Sequence, residues 1–415
     1  MAQDAHRTID AVWRIESPKL IASLARTVRD LDLAEEFAQD AFVAALSQWP
    51  DEGVPRNPGA WLMTIAKRRA IDHIRREIVL GRKTEELERD VAAWASPGAD
   101  ATVDEIDDDL LRLIFVTCHP VLPKESRVAL ALRLLGGMAT PEIARAFLVS
   151  EPTVAQRIVR AKRALTAARV PFEVPTGPDR AERLASVLEV IYLIFNEGYS
   201  ASAGDDVLRP ELCEDALRLG RVLVGLMPHE PEALGLVALM EIQASRARAR
   251  VDAAGDAVLL PDQDRSRWDY LAIRRGLDAL VRAERLGGAF GPYAIQAAIA
   301  ACHARARTVE QTDWGTIAAL YDALAQLQPS PVVELNRAVA VGMAFGPAAG
   351  LEHADRLAQE PSLAHYHLLP SVRADLLQKL GRGSEAAAEF ERAASLAGNA
   401  RDRKALLARA ATCRF

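Results

Sequence analysis

The chain has 415 residues, 50% hydrophobic and 26% charged, enough for two or three domains each with its own core. Its formal charge of −6 hides an asymmetry, since basic residues gather at 67–83 and 145–169 while residues 84–109 hold ten acids and one base. Cys118, Cys213, Cys302 and Cys413 lie far apart without metal-ligand spacing, which argues against a zinc site and a disulfide framework and fits a reducing cytoplasm. No leader pattern and no run of about 18 apolar residues is visible, so no membrane partner is expected.

High Ala, Leu and Arg content with few β-branched runs predicts an all-α protein. The first helices are expected at residues 11–28 and 33–48. In the second, Ala34, Phe37, Ala38, Ala41, Phe42 and Ala45 trace one stripe, and Glu35, Glu36, Gln39 and Asp40 lie beside or opposite it. Residues 49–58 contain three prolines and a glycine and read as a loop. A helix over 59–77 turns Trp61, Ile65, Ile71 and Ile74 inward and Lys67, Arg68, Arg69, Arg75 and Arg76 largely outward. The acidic stretch 84–109, interrupted by Ser96-Pro-Gly98, is too polar for a core and reads as a linker. Cys118-His119-Pro120 reads as a buried thiol beside a helix-ending proline, not as a nucleophile.

Two helices joined by a tight turn follow. Thr140-Pro-Glu-Ile-Ala-Arg-Ala-Phe147 is a short capped helix, and Ser150 N-caps the next, with Glu151 and Pro152 suited to a first turn. Val154, Ile158, Ala161 and Leu165 share its apolar face, whereas Gln156, Arg157, Arg160, Lys162 and Arg163 fall off it. From Arg145 to Arg169 six basic residues face one acid. A basic surface helix packed on a neighbour would explain the charge alone; the capped partner and short turn point to a DNA-reading helix-turn-helix.

Pro171, Pro175 and Pro178 end that segment, and residues 180–415 are again helical. There Ala216/Gly220/Leu223/Pro228, Ile317/Tyr321/Leu324/Pro329 and Ala386/Phe390/Ala393/Gly398 repeat steps of four, three and five. Weaker copies lie at Ala279/Ala283/Leu286 and Gly350/Ala354/Leu357. The spacing fits the second helix of a tetratricopeptide (TPR) repeat, with a generic helical bundle as the alternative.

Taken together, the first 170 residues resemble a bacterial sigma factor of the extracytoplasmic-function (ECF) group. Asp32-Leu-Ala-Glu-Glu-Phe-Ala-Gln-Asp-Ala-Phe42 is similar to the family's region 2.2. Trp61-Leu-Met-Thr-Ile-Ala-Lys-Arg-Arg-Ala-Ile-Asp72, with Arg75 and Arg76, resembles regions 2.3 and 2.4, and residues 110–169 resemble region 4. The remainder resembles the C-terminal extension of a subgroup that appends a TPR-like domain; Tyr192-Leu-Ile-Phe-Asn-Glu-Gly-Tyr-Ser-Ala-Ser202 and Leu260-Pro-Asp-Gln-Asp-Arg-Ser-Arg-Trp-Asp269 carry that likeness. The implied domains are region 2 at 1–82, an acidic linker at 83–109, a region 4 helix-turn-helix at 110–172 and a TPR-like α-solenoid at 173–415.

The resemblance implies that Glu35, Glu36, Gln39 and Asp40 meet a basic clamp on core RNA polymerase. Trp61, Lys67, Arg68, Arg69, Arg75 and Arg76 would serve promoter DNA at the −10 element, with Trp61 alternatively a core anchor. In the −35 major groove Gln156, Arg157 and Arg160 would reach base edges beside Thr153, and Lys162 and Arg163 phosphates. Many members carry Asn where this chain has Arg68, which implies a different −10 sequence. The linker is either a connector threading the polymerase or a plain tether.

In the extension Asn196, Glu197, Tyr199, Asp262, Asp264, Arg265 and Arg267 form either a polar contact surface or a set of helix ties. A protein or peptide contact is expected through Asn196, Tyr199, Asp262, Arg265 and Trp268. No cofactor is expected, and the residues contain no glycine-rich phosphate loop, metal spacing or nucleophile motif of an enzyme. A DNA-binding regulator without polymerase is the competing class. It needs neither the acidic region 2.2-like helix nor the Trp61-containing one.

Overall fold

The computed structural model describes residues 2–79, 103–147, 149–199, 208–252, 258–398 and 400–413. It is all-α, without a strand among the described residues, and divides into a unit of residues 1–193 and one of residues 194–415. Residues 83–102 of the expected linker lie outside the described residues, as do Ser200, Ala201 and Ser202 of the first extension segment.

In the first unit α1 (Ala2–Val28), α2 (Leu31–Glu52) and α3 (Pro58–Val79) pack on one another. Asp30 caps α2 by accepting from the Asp32 and Leu33 amides at 2.8 and 3.1 Å, satisfying two of the donors a helix start leaves over. The predicted stripe of α2 is buried from Ala34 to Ala45, and α1, on which α2 packs, buries Leu20, Ile21 and Leu24. Trp13 and Phe42 cross edge to face at 4.3 Å.

Three local expectations need correction. Helix α2 runs through Pro50 to Glu52 because buried Trp49 anchors its last turn against Trp61, and Gly53, at φ +85°, closes it by donating its N–H to the Trp49 carbonyl; the loop is therefore only residues 53–57. The buried face of α3 is Leu62, Ala66, Ala70 and Ile74, a strict four-residue ladder, and Trp61, Ile65 and Ile71 flank it half-buried. The last acids of the expected linker are not linker, since α4 (Val103–Thr117) includes them. Fully buried Asp109 there pairs with Arg112 at 2.6 Å and with Arg26 of α1 at 3.3 Å.

Helices α5 (Lys124–Leu134), α6 (Thr140–Ala146) and α7 (Glu151–Ala167) complete the helix-turn-helix module. The turn after α5 requires Gly137: its φ is +69°, and a Cβ there would stand 3.3 Å from the Arg14 backbone. Its carbonyl accepts from the Trp13 indole at 2.9 Å. Cys118 is buried, which pushes its thiol up to about 12 and keeps it protonated.

The unit boundary falls within α8 (Asp179–Tyr199), not at residue 173. The first half of α8 is tied to the helix-turn-helix module: Arg183 donates to the Phe115 carbonyl at 3.1 Å, Arg127 to the Ser186 hydroxyl, and Ser186 to the Cys118 carbonyl. Glu189 completes the tie, 2.5 Å from Lys124 and 3.2 Å from Arg127.

In the second unit α9 (Pro210–Leu226), α10 (Pro231–Ala244), α11 (Tyr270–Arg285), α12 (Pro292–Arg305), α13 (Trp314–Leu327), α14 (Pro331–Phe345), α15 (Pro347–Leu357), α16 (Leu368–Lys379), α17 (Gly383–Leu396) and α18 (Ala400–Thr412) pack in chain order, each on the next. Of the recurrent positions Ala216, Gly220, Leu223, Ile317, Leu324, Ala386, Phe390 and Ala393 are buried and Tyr321 half-buried, whereas Pro228, Pro329 and Gly398 are exposed. Small residues bring backbones together; a Cβ on Gly350 would stand 2.7 Å from the Gly342 Cα across the α14–α15 pair.

Candidate nucleic-acid and polymerase interface

Helix α7 starts as its sequence dictates. The Ser150 hydroxyl accepts from the Thr153 amide at 3.3 Å and lies 2.8 Å from the Thr153 hydroxyl. On the partner helix the Glu142 carboxylate accepts from the Ala139 amide at 2.7 Å, holding α6 at the entry of the turn. Val154, Ile158, Ala161 and Leu165 face inward, leaving Gln156, Arg160 and Arg163 exposed and Thr153 and Arg157 half-buried.

Lys162 departs from its expected place beside the phosphates. Its side chain is 8% exposed, and its Nζ lies 2.7 Å from both Asp32 Oδ1 and Glu35 Oε2 of α2. Glu35 departs with it. Only 8% of this residue is exposed, and its other oxygen accepts from Arg133 Nε at 2.6 Å and from Gln39 Nε2 at 2.9 Å. The reason is tertiary: a position one step from an apolar stripe lies at its margin, and a long cationic side chain there is buried when a neighbouring helix supplies carboxylates. Asp32 and Arg133 join the site through the fold: Asp32 opens the region 2.2-like segment, but nothing near Arg133 in the sequence marks it as a partner of α2.

The remaining α2 acids stay accessible, Glu36 exposed and Asp40 half-buried at 4.0 Å from Arg69. On α3, Arg68, Arg69, Arg75 and Arg76 are exposed and Lys67 is half-buried. Trp61 packs edge to face on Trp49 at 5.4 Å.

In the second unit Trp268 is buried, against the expectation of a contact residue, because it packs with Ala249 and Ile273. Arg265 lies over its ring at 4.8 Å and Arg246 at 6.0 Å. Tyr199 is also buried, with Arg250 over its ring at 4.1 Å. Asn196 is half-buried, and Asp262 sits exposed at a 3-10 turn. The expected set therefore divides into a Trp268–Arg265 stack and a Tyr199–Arg250 stack, with Asp262 on the surface.

Near the first stack is buried His303, whose ring meets Trp314 at 5.1 Å. Burial, then the Arg246 and Arg265 charges, hold its imidazole down to about 4 from the usual 6.5. As pH falls from 6.5 to 4, the unfolded chain takes up a proton that the folded chain refuses, so this contribution is intact above pH 6.5 and lost through that window. Between pH 7 and 5 the change amounts to about 2 kcal/mol. Urea midpoints of His303→Gln and the parent should accordingly converge between those pH values if the parent has the advantage at neutral pH; equal pH slopes would refute the assignment.

Comparison with known proteins places these elements. Residues 13–77 match the sigma-70 region 2 model, residues 112–165 the sigma-70 region 4 model, and residues 183–284 a family of unknown function (DUF6596). An uncharacterised protein of Rhizobium meliloti (strain 1021) is 47% identical over 397 residues, 94% of this chain and 92% of the relative. The probable ECF RNA polymerase sigma factor SigI of Mycobacterium tuberculosis is 28% identical over 182 residues, 42% of this chain and 60% of that protein. The ECF RNA polymerase sigma factor SigK of Mycobacterium sp. (strain KMS) is 26% identical over 169 residues, 38% of this chain and 82% of that protein. No solved structure matches. The chain belongs to the ECF-type sigma-70 factors and carries a C-terminal extension. Among the described residues no helix is long and apolar enough to cross a membrane.

Proposed function

We propose that the chain directs core RNA polymerase to particular promoters by reading a −35 element with α7 and a −10 element with α3, and that its C-terminal unit, a TPR-like array, regulates this activity. The observation that carries the reading is the outward face of α7. Gln156, Arg157, Arg160 and Arg163 follow a capped helix start, with no acid after Glu151 in the helix, the charge and donor pattern that suits a major groove. Arg68, Arg69, Arg75 and Arg76 of α3 serve the −10 backbone, with Lys67 beside them and Trp61 shaping the site through Trp49.

Glu36, Gln39 and Asp40 offer the polymerase contact in the described arrangement, and Glu35 joins them when α7 leaves α2. In the extension, Asp262 with exposed Asp264 and Arg267 offers an edge for a protein or peptide partner, backed by the Arg265–Trp268 stack, with Asn196 and Tyr199 at a second position. A run-off transcription assay with purified core polymerase and DNA from upstream of the chain's own gene tests the proposal. A specific transcript supports it; sequence-specific DNA binding without core retention or transcript makes the protein a regulator that works without polymerase.

Arg160→Glu and Arg163→Glu should each lower promoter affinity without changing the melting curve, since both side chains lie off the buried face. Loss of a phosphate contact should reduce the slope of log affinity against log salt by about one, whereas loss of a base contact should relax sequence preference. Footprints unchanged in both variants and in Gln156→Ala would remove α7 from the reading role.

A further inference from the structure

A cavity of about 230 Å³ opens in the second unit between the Leu260–Asp262 turn and helices α12, α13 and α14. Leu260, Trp314 and Ile317 contribute apolar walls, and Arg265, His303 and Thr312 a polar side. That polar side is unfinished. Thr312 is 6% exposed and its hydroxyl has no hydrogen-bond partner, and the buried Nε atoms of Arg265 and nearby Arg246 have none either.

The arginines are not neutralised locally. Arg265 spends one Nη on the His303 and Ala306 carbonyls, at 2.7 and 2.6 Å, and those are uncharged acceptors. Among the described residues neither Arg246 nor Arg265 has a carboxylate within 4.0 Å. The acid that acts on Arg265 electrostatically, Glu310, is exposed. Arg246 is itself 7% exposed, and a buried guanidinium without an anion is costly enough that such groups are generally paired.

We propose that this cavity binds a small carboxylic acid with an apolar body, the carboxylate set at the Arg265 and Thr312 side and the body between Leu260, Trp314 and Ile317. The volume limits the body. It falls below the roughly 300–1,000 Å³ of drug-sized sites, so a single aromatic ring or branched alkyl chain fits and a larger molecule does not. Trp314 and Ile317 supply burial for such a group, and the unpartnered hydroxyl supplies a directional donor. Such a site would make the extension a receptor for a metabolite, and its existence is independent of whether the chain supports transcription.

The test is calorimetric titration of the full chain with phenylacetate and 4-methylpentanoate, against phenylacetamide and acetate as the uncharged and bodiless controls. The two apolar acids should bind at least about tenfold more tightly than either control, the factor that corresponds to one well-made hydrogen bond to a charged group. Thr312→Val, which keeps the shape and removes the hydroxyl, should weaken binding about tenfold. Asn336→Trp, at an exposed lining position, should block the mouth and abolish binding without lowering the melting temperature. No heat with either acid at millimolar concentration, equal affinity for phenylacetamide or acetate, or unchanged affinity in a folded Asn336→Trp protein overturns the proposal. Binding of a peptide ending in Leu while the free acids fail overturns it too, in favour of a protein terminus.

Discussion

Lys162→Glu should release α7 from α2 and leave the helix free to read DNA. In the parent the ammonium lies 2.7 Å from an oxygen of Asp32 and from one of Glu35, with 8% of its side chain exposed. The reversed charge sets a third carboxylate against those two, and each like pair at about 4 Å costs about 4 kcal/mol at the effective dielectric of a partly buried site. That is enough to part α7 from the acids of α2, while the α1–α3 core built on Leu24, Phe42, Leu62 and Ile74 is untouched. Small-angle scattering should report a larger radius, and core polymerase should bind at least as tightly because Glu35 becomes available. Lys162→Met, which keeps the stem and removes the charge, should fall between the two. An unchanged radius in Lys162→Glu would mean that the other ties, Arg133 to Glu35, Arg26 to Asp109 and Trp13 to Gly137, hold the modules together; a loss of DNA affinity with a reduced salt slope would return Lys162 to a phosphate contact.

Truncation after Val174 should abolish run-off transcription, and the structure separates two reasons why. Removing all of α8 takes Ser186 and Glu189 from Arg127, which is 7% exposed, and takes Arg183 from the Phe115 carbonyl. Stranding a buried guanidinium costs about 3–5 kcal/mol, so the helix-turn-helix module should melt earlier and bind promoter DNA poorly. Truncation after Tyr199 keeps these ties and removes the rest of the second unit. If the extension docks on the sigma module or on polymerase, the longer fragment should fold, bind −35 DNA and still fail to transcribe. Full transcription by the longer fragment would limit the requirement to the first half of α8, and increased transcription would make the extension an inhibitor.

The helices were legible because their determinants are local. Ser150 caps through its own side chain, and Val154, Ile158, Ala161 and Leu165 fall on one face by the period of the helix alone. The same logic found the buried positions Ala386, Phe390 and Ala393 from spacing. Its errors are local as well. A proline count placed a loop from residue 49, whereas burial of Trp49 against Trp61 carries the helix on to Glu52.

The sequence by itself determined the all-α class, the capped helix-turn-helix and the basic outward faces of α3 and α7, since each follows from residues within a few turns of one another. The tertiary structure alone decided that Lys162 is buried on Asp32 and Glu35, that Asp109 belongs to a helix anchored by Arg26, that α8 straddles the unit boundary, and that His303 and Thr312 meet Arg265 around one cavity. Those outcomes depend on charges and walls brought together from positions as far apart as 130 residues in the Asp32–Lys162 pair. A helix period states which face a residue occupies; only the packing partner determines whether that face meets water, DNA or a buried carboxylate.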